Sequence, residues 1–236
     1  MTVFALNAHK AFFPPPNMAD ESGLLAIGGK LEAHRLLEAY SSGIFPWFNE
    51  EDPIMWWSPD PRSVIVPGNL KIRKSMRTYF NSGKFELKID YDFNGVINNC
   101  QKIIRKGQNG TWITSDMKKA YINLHKLGYA HSFETWKDDQ LVGGLYGVSL
   151  GKIFFGESMF SHISNASKFA LLSLSMILKE NGFKLLDCQI PNSHLDNMGC
   201  KEMSRNDYLE ILLQNKTEKT IIGNWGKGLI KTKFEI

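Results

Sequence analysis

The usual handles of redox, metal and nucleotide chemistry are missing from this chain. Its three cysteines, Cys100, Cys188 and Cys200, form neither a CxxC pair nor an even framework, a usage that fits a reducing compartment. No set of His, Cys, Asp or Glu has recognisable metal-ligand spacing, and His125, without a partner at such spacing, reads as structural. There is no GxxxxGK(S/T) loop, and no GxGxxG follows a strand, so no phosphate-cradling loop is expected. Gly143-Gly144-x-x-Gly147 falls inside a hairpin pattern, where glycine permits a bulge or a close approach of backbones. Long apolar runs are also missing: no segment nears the ~20 residues that span a bilayer. The N-terminal stretch lacks the basic start and apolar run of a signal peptide and is broken by Pro14-Pro15-Pro16. Together these absences predict a soluble cytoplasmic protein with no metal site.

What is present is a chain of 236 residues, longer than one ordinary domain, so one large or two unequal domains are expected. Hydrophobic residues make up 43%, enough for a sizeable core and too many for a disordered chain. A net charge of +4 permits a polyanionic partner without demanding one, so the position of the cations matters more than their total. Lys71, Arg73, Lys74 and Arg77 cluster on Leu70–Phe80, a segment that reads as a helix, with no acidic residue among them. A solvated face is the ordinary meaning of such a cluster. The uninterrupted run fits a phosphate-contacting helix slightly better.

In chain order, Leu24–Ile27 reads as a short strand and Leu31–Tyr40 as a helix, with Leu36, Leu37 and Tyr40 at helical spacing and Gly43 as the stop. Trp47, Trp56 and Trp57 sit among prolines just beyond it. A small aromatic core explains them, except that Trp47, between Pro46 and Phe48, lies in loop-like sequence suited to stacking on a ring. Phe85–Asp90 alternates as a strand, and Asp92 then caps a helix whose apolar face carries Phe93, Val96, Ile97 and Cys100. A helix over about residues 116–127 follows, then strand 130–136. Val142–Val148 and Lys152–Phe160 form a hairpin about Ser149-Leu150-Gly151. Ser164 or Asn165 caps a helix running to about Glu180, Lys184–Ile190 is a strand, and Asn206–Gln214 is the last helix before a polar, loosely packed tail. This alternation predicts an α/β (α+β) fold with a mixed sheet.

Two places break the apolar pattern. Glu157 stands between Gly156 and Ser158 in an otherwise apolar strand, where a carboxylate is costly unless paired or near solvent. It marks either a strand end opening onto a site or a solvent-facing edge. In KLLDCQI, period-two alternation puts Asp187 and Gln189 on one face and Leu186, Cys188 and Ile190 on the other. A cysteine nucleophile, Cys188 with His194 or His162, is a weak candidate, because nothing nearby would obviously lower its pKa. Glu157, Asp187 and Gln189 suit positioning and proton handling, not covalent or metal catalysis.

The segments GLLAIGG (23–29), GIFPWF (43–48), WWSPDPR (56–62), TWIT (111–114), LVGGLYGV (141–148), FFGESMFS (154–161), NASK (165–168) and DCQ (187–189) together resemble the leucyl/phenylalanyl-tRNA–protein transferase family, in order and over nearly the whole chain. Lys30 departs from it where Asp usually follows the GG pair, as does the run 194–199. The resemblance implies a small N-terminal domain, 1–62, and a GNAT-like acyltransferase domain, 63–236. It implies transfer of Leu or Phe from aminoacyl-tRNA to the α-amine of proteins beginning with Arg or Lys, an N-degron tag for degradation, with no cofactor and no membrane partner. By the same resemblance Asp187 and Gln189 are catalytic, with Gln189 oriented by Asp187. Leu145, Phe154, Ser158, Leu174 and Leu186 join Glu157 in binding substrate, and a bulge at Gly156 brings Phe154 and Glu157 together. Trp47 and Trp112 stack on the terminal adenosine, and Lys71, Arg73, Lys74 and Arg77 hold tRNA phosphates. Asp187 or Glu157 pairs with the acceptor's basic side chain.

Two other classes compete. A CoA-dependent GNAT acetyltransferase would show a (Q/R)-x-x-G-x-(G/A) signature, which Gln140-Leu141-Val142-Gly143-Gly144-Leu145 misses at its last position. A noncatalytic RNA-binding module would use the basic helix and the tryptophans but leaves Glu157, Asp187 and Gln189 without a purpose.

Overall fold

Helix periodicity and strand alternation are realised in a computed structural model that describes residues 3–8, 12–70, 74–103 and 112–233. The N-terminal part contains β1 (Phe4–Leu6), β2 (Leu24–Gly28), α1 (Ala33–Ser41), β3 (Phe45–Pro46) and β4 (Met55–Trp57). These strands form a sheet of order β1-β2-β4-β3. Leu36, Ala39 and Tyr40, at the spacing of one helical face, are the buried apolar residues of α1. Trp56 is fully buried against Phe13 and donates its indole N–H to the Gly28 carbonyl (2.9 Å), whereas Trp47 remains 36% exposed. The tryptophan window is therefore an aromatic core with one ring left at the surface.

The larger part contains β5 (Arg62–Ile65), α2 (Lys74–Asn81), β6 (Glu86–Ile89), α3 (Phe93–Lys102), α4 (Ser115–Lys126), β7 (Ala130–Lys137), β8 (Gln140–Leu150), β9 (Ile153–Ser161), α5 (Ala166–Glu180), β10 (Leu185–Gln189), α6 (Ser193–Asp196), β11 (Lys201–Met203) and α7 (Arg205–Asn215). Its sheet runs β11-β5-β10-β9-β8-β7-β6, antiparallel except for the parallel pair β9–β10. One face packs with α3, α4 and the N-terminal sheet, and the other with α2 and α5. As expected, Asp92 caps α3 by accepting the Gly95 N–H (2.8 Å). Asn165 takes the N-cap position of α5, but its side chain makes no capping bond; the Ser161 hydroxyl accepts the Ser167 N–H instead (3.2 Å). The glycines of the hairpin allow that helix to dock, because a Cβ on Gly143 would lie 2.5 Å from the Ala166 Cβ.

The C-terminal segment is not the loose tail its polarity predicts. Trp225 is fully buried, stacks on His131 at 3.8 Å and donates its backbone N–H to Asp90 Oδ2 (2.7 Å).

Candidate active site

The parallel ladder between β9 and β10 ends at the pair Phe155↔Asp187. Beyond it the strands part at their carboxyl ends, the place where sheets containing parallel strands open a ligand crevice. A cavity of about 460 Å³ lies there, with an apolar side from Leu145, Met159, Leu171, Leu174 and Leu186 and a polar side from Glu157, Ser158 and Gln189. Trp47 and Trp112 also line it.

Glu157 reaches the cavity because the β8–β9 register shifts between Tyr146 and Gly147: Tyr146 faces Ser158 and Gly147 faces Gly156, leaving Glu157 as the extra residue of a bulge. Gly147 makes this possible, since a Cβ there would lie 2.2 Å from the Phe155 carbonyl oxygen. The resemblance requires a bulge at Gly156 to bring Phe154 to the site; the extra residue is Glu157, next to it, and Phe154 does not reach the site. Phe154 is fully buried in the core against Phe133 and Trp225 and is not among the cavity-lining residues.

Glu157 Oε1 accepts from Tyr40 (2.7 Å) and from the Gln189 side-chain amide (2.8 Å), and Oε2 accepts from Tyr121 (2.8 Å). The Tyr40 and Tyr121 hydroxyls also touch each other. Burial raises the Glu157 carboxyl from the ordinary carboxylate range to about 7; the three donors oppose that shift and the nearby Asp187 adds to it.

Asp187 departs from its predicted position. Alternation fails because Gln189 adopts φ 66 and the β10–β5 register shifts between Asp187 and Gln189. The two side chains therefore do not share a face. Asp187 is fully buried, held in a bidentate pair with Arg62 (2.9 and 2.7 Å) and accepting from Tyr208 (2.7 Å). It is tied to the site through the backbone, accepting the Gln189 N–H (2.8 Å). So enclosed, it has no path to an acceptor's basic side chain, which removes it from that role. Burial alone would depress the Arg62 guanidinium, but Asp187 beside it leaves its pKa raised.

Cys188 lines the cavity, and its thiol is pushed well up, first by hydrogen bonding with Cys200 and then by burial, which argues against a nucleophile. Cys200, its hydrogen-bonding partner, is lowered to about 7 by that contact. Arg77 is exposed on α2; Lys74 opens that helix, and Lys71 and Arg73 lie outside the described residues. The near-signature of a CoA site, 140–145, is part of strand β8 and does not precede a helix. Among the described residues no group of three His, Cys, Asp or Glu is placed to hold a metal, and no helix is long and apolar enough to cross a membrane.

Arg62, Tyr40, Tyr121 and Tyr208 complete the site and carry no role in the sequence reading. Arg62 had a visible signal, a charge at the head of the apolar run RSVIV. The tyrosines had none, since at helical spacing they pass as core.

The leucyl/phenylalanyl-tRNA–protein transferase family model matches residues 64–213, and the model of that family's N-terminal domain matches residues 29–60. The chain belongs to this family. It is 56% identical to the leucyl/phenylalanyl-tRNA–protein transferase of Flavobacterium johnsoniae, over 85% of this chain and 95% of that one. It is 49% identical to that of Shewanella halifaxensis, over 97% of this chain and 98% of the relative. The Syntrophus aciditrophicus transferase is 50% identical over 90% of this chain and 89% of its own.

Proposed function

We propose that this chain carries Leu or Phe from aminoacyl-tRNA to the N-terminal α-amine of proteins beginning with Arg or Lys, and that it acts in the cytoplasm, where charged tRNA is found. One observation carries the reading: a cavity with a leucine-rich lining holds a carboxylate, Glu157, bonded to a carboxamide, Gln189. The apolar side fits the donor's Leu or Phe side chain, with Leu145, Leu174 and Leu186 forming its walls and Ser158 beside Glu157 at the polar side. Trp47 and Trp112 stack on the terminal adenosine, worth about 1–3 kcal/mol per base. Arg77, with Lys71, Arg73 and Lys74 near it in sequence, meets tRNA phosphates.

An aminoacyl ester is already activated, so the reaction requires neither a covalent intermediate nor a cofactor. An α-amine with an ordinary pKa of about 7.7–8.0 has a neutral fraction near neutrality. Holding amine and ester in a near-attack pose supplies about 7–11 kcal/mol of the barrier. Gln189 positions the amine. Asp187 is a positioning residue that holds the Gln189 backbone in its left-handed turn.

The test uses radiolabelled Leu-tRNA, the purified protein and no added CoA, with peptides that begin with Arg, Lys, Ala or Glu. Acid-stable label on the Arg and Lys peptides alone is expected, and lost in Gln189→Ala. Equal labelling of all four would remove the acceptor preference, and no labelling would remove the transfer reading.

A further inference from the structure

Tyr40 Oη, Tyr121 Oη and the Glu157 carboxylate form a closed triangle in which each group is within hydrogen-bonding distance of the other two. A phenol brings one hydrogen and a carboxylate none, so three edges share two hydrogens. With both phenols donating to Glu157, the edge between the tyrosines is left without a hydrogen. One added proton fills the ring head to tail: the carboxyl donates to one tyrosine, which donates to the other, which donates back to the second carboxyl oxygen. The Gln189 amide supplies its own hydrogen to Oε1 and is unaffected by this count.

No cation neutralises Glu157 among these partners. The titratable groups in contact with it or lining the cavity with it are Tyr40 from α1, Tyr121 from α4, Tyr146 from β8 and Asp187 and Cys188 from β10; Asp187 is already paired with Arg62 of β5, and the Cys188 thiol is pushed well up. Glu157 is also the only carboxylate among the described residues that line the cavity. The site is thus built to accept one proton at the point where the amine must lose one.

We infer that Glu157 takes the proton of the attacking α-amine and returns it to the departing ribose oxygen, with Tyr40 and Tyr121 sharing it in between. The N–C bond forms as the N–H proton passes to the carboxylate. The ester C–O bond then breaks as the neutral carboxyl protonates the leaving oxygen, and the carboxylate is regenerated. A group that titrates near neutrality is suited to both steps. The raised carboxyl, at about 7, agrees with this geometry.

This inference rests on the transfer reading, and one experiment separates the two. Single-turnover transfer is followed across pH with an α-aminooxy analogue of an Arg-starting peptide, too weak a base to titrate near neutrality, so that any inflection there belongs to the enzyme. Wild-type protein is expected to show a single inflection near neutral pH. Glu157→Gln is expected to lose the inflection and to slow transfer by about 10²–10⁴-fold, with a smaller change in acceptor KM. Tyr121→Phe removes a donor to the ionised form and is expected to keep the inflection but move it to higher pH. An inflection that persists in Glu157→Gln, one that stays put in Tyr121→Phe, or a Glu157→Gln variant altered only in acceptor KM would each overturn the proton role while leaving transfer intact. No transfer by wild-type protein would overturn both.

Discussion

Two carboxylates stand at the place where β9 and β10 part, and they differ in what surrounds them. Asp187 is met by a guanidinium, a phenol and a backbone N–H. Glu157 is met by two phenols and a carboxamide, with no cation among the described residues. A buried charge matched by an opposite charge is fixed in place, because removing either partner leaves the other uncompensated. A buried carboxylate met by neutral donors sits between two protonation states. The first holds the turn that aims Gln189, and the second is free to titrate.

The severest way to break this comparison is to take the charge from the fixed member. Asp187→Ala leaves Arg62 as a buried cation facing Tyr208 and Phe45, and is expected to cost about 3–5 kcal/mol of stability. Transfer falls with it, since the Gln189 turn loses its anchor. Denaturant midpoints and transfer rates on the same preparations would test it. A variant with unchanged midpoint would show that the Arg62 pair does not hold the turn.

A second prediction sharpens the other half. The Glu157 carboxyl is raised in the folded state to about 7, against an ordinary value of 4.5. A raised acid binds its proton more tightly when folded, so its favourable contribution is complete below about pH 4.5. That contribution is lost as pH climbs through about 7, by up to about 3 kcal/mol. Glu157→Gln carries no such titration. Its stability relative to wild type is therefore expected to rise between about pH 5 and pH 8. A difference in melting temperature that stays flat over that range would mean Glu157 is not raised.

Much of this was legible in the sequence, for physical reasons that name its limits. The apolar face of α3 and its Asp92 cap are local, written in i, i+3 and i+4 spacing and one side-chain bond. The hairpin could be read, and Glu157 stood out, because a charge and glycines interrupt an apolar strand. Asp187 stands out in the sequence as a charge in an apolar strand, and strict alternation misplaces its side chain. Strict alternation assumes regular backbone, and the left-handed Gln189 turns its side chain away from the Asp187 face. Arg62, Tyr40, Tyr121 and Tyr208 meet the two carboxylates from residues 21 to 125 positions away in the chain. No local pattern records such a pairing. The buried C-terminal segment was missed for the same reason: Trp225 is anchored by Asp90, 135 positions upstream.

The smallest effect is the most discriminating, because it compares like with like. Tyr208 donates to Asp187 at 2.7 Å as Tyr121 donates to Glu157 at 2.8 Å, so each phenol makes one hydrogen bond to a carboxylate. Tyr208→Phe removes a charge-assisted bond, but Arg62 and the Gln189 N–H remain to satisfy Asp187, and the loss is expected near the low end, about 1.5 kcal/mol. Because the bond lost is made to Asp187 and leaves every donor to Glu157 in place, the pH inflection of transfer should not move. Tyr121→Phe, an equal chemical change, should move it upward. If Tyr208→Phe shifted the inflection as much as Tyr121→Phe, the surroundings of Asp187 would be setting the Glu157 inflection, and the division between a paired charge and a mobile proton would not hold.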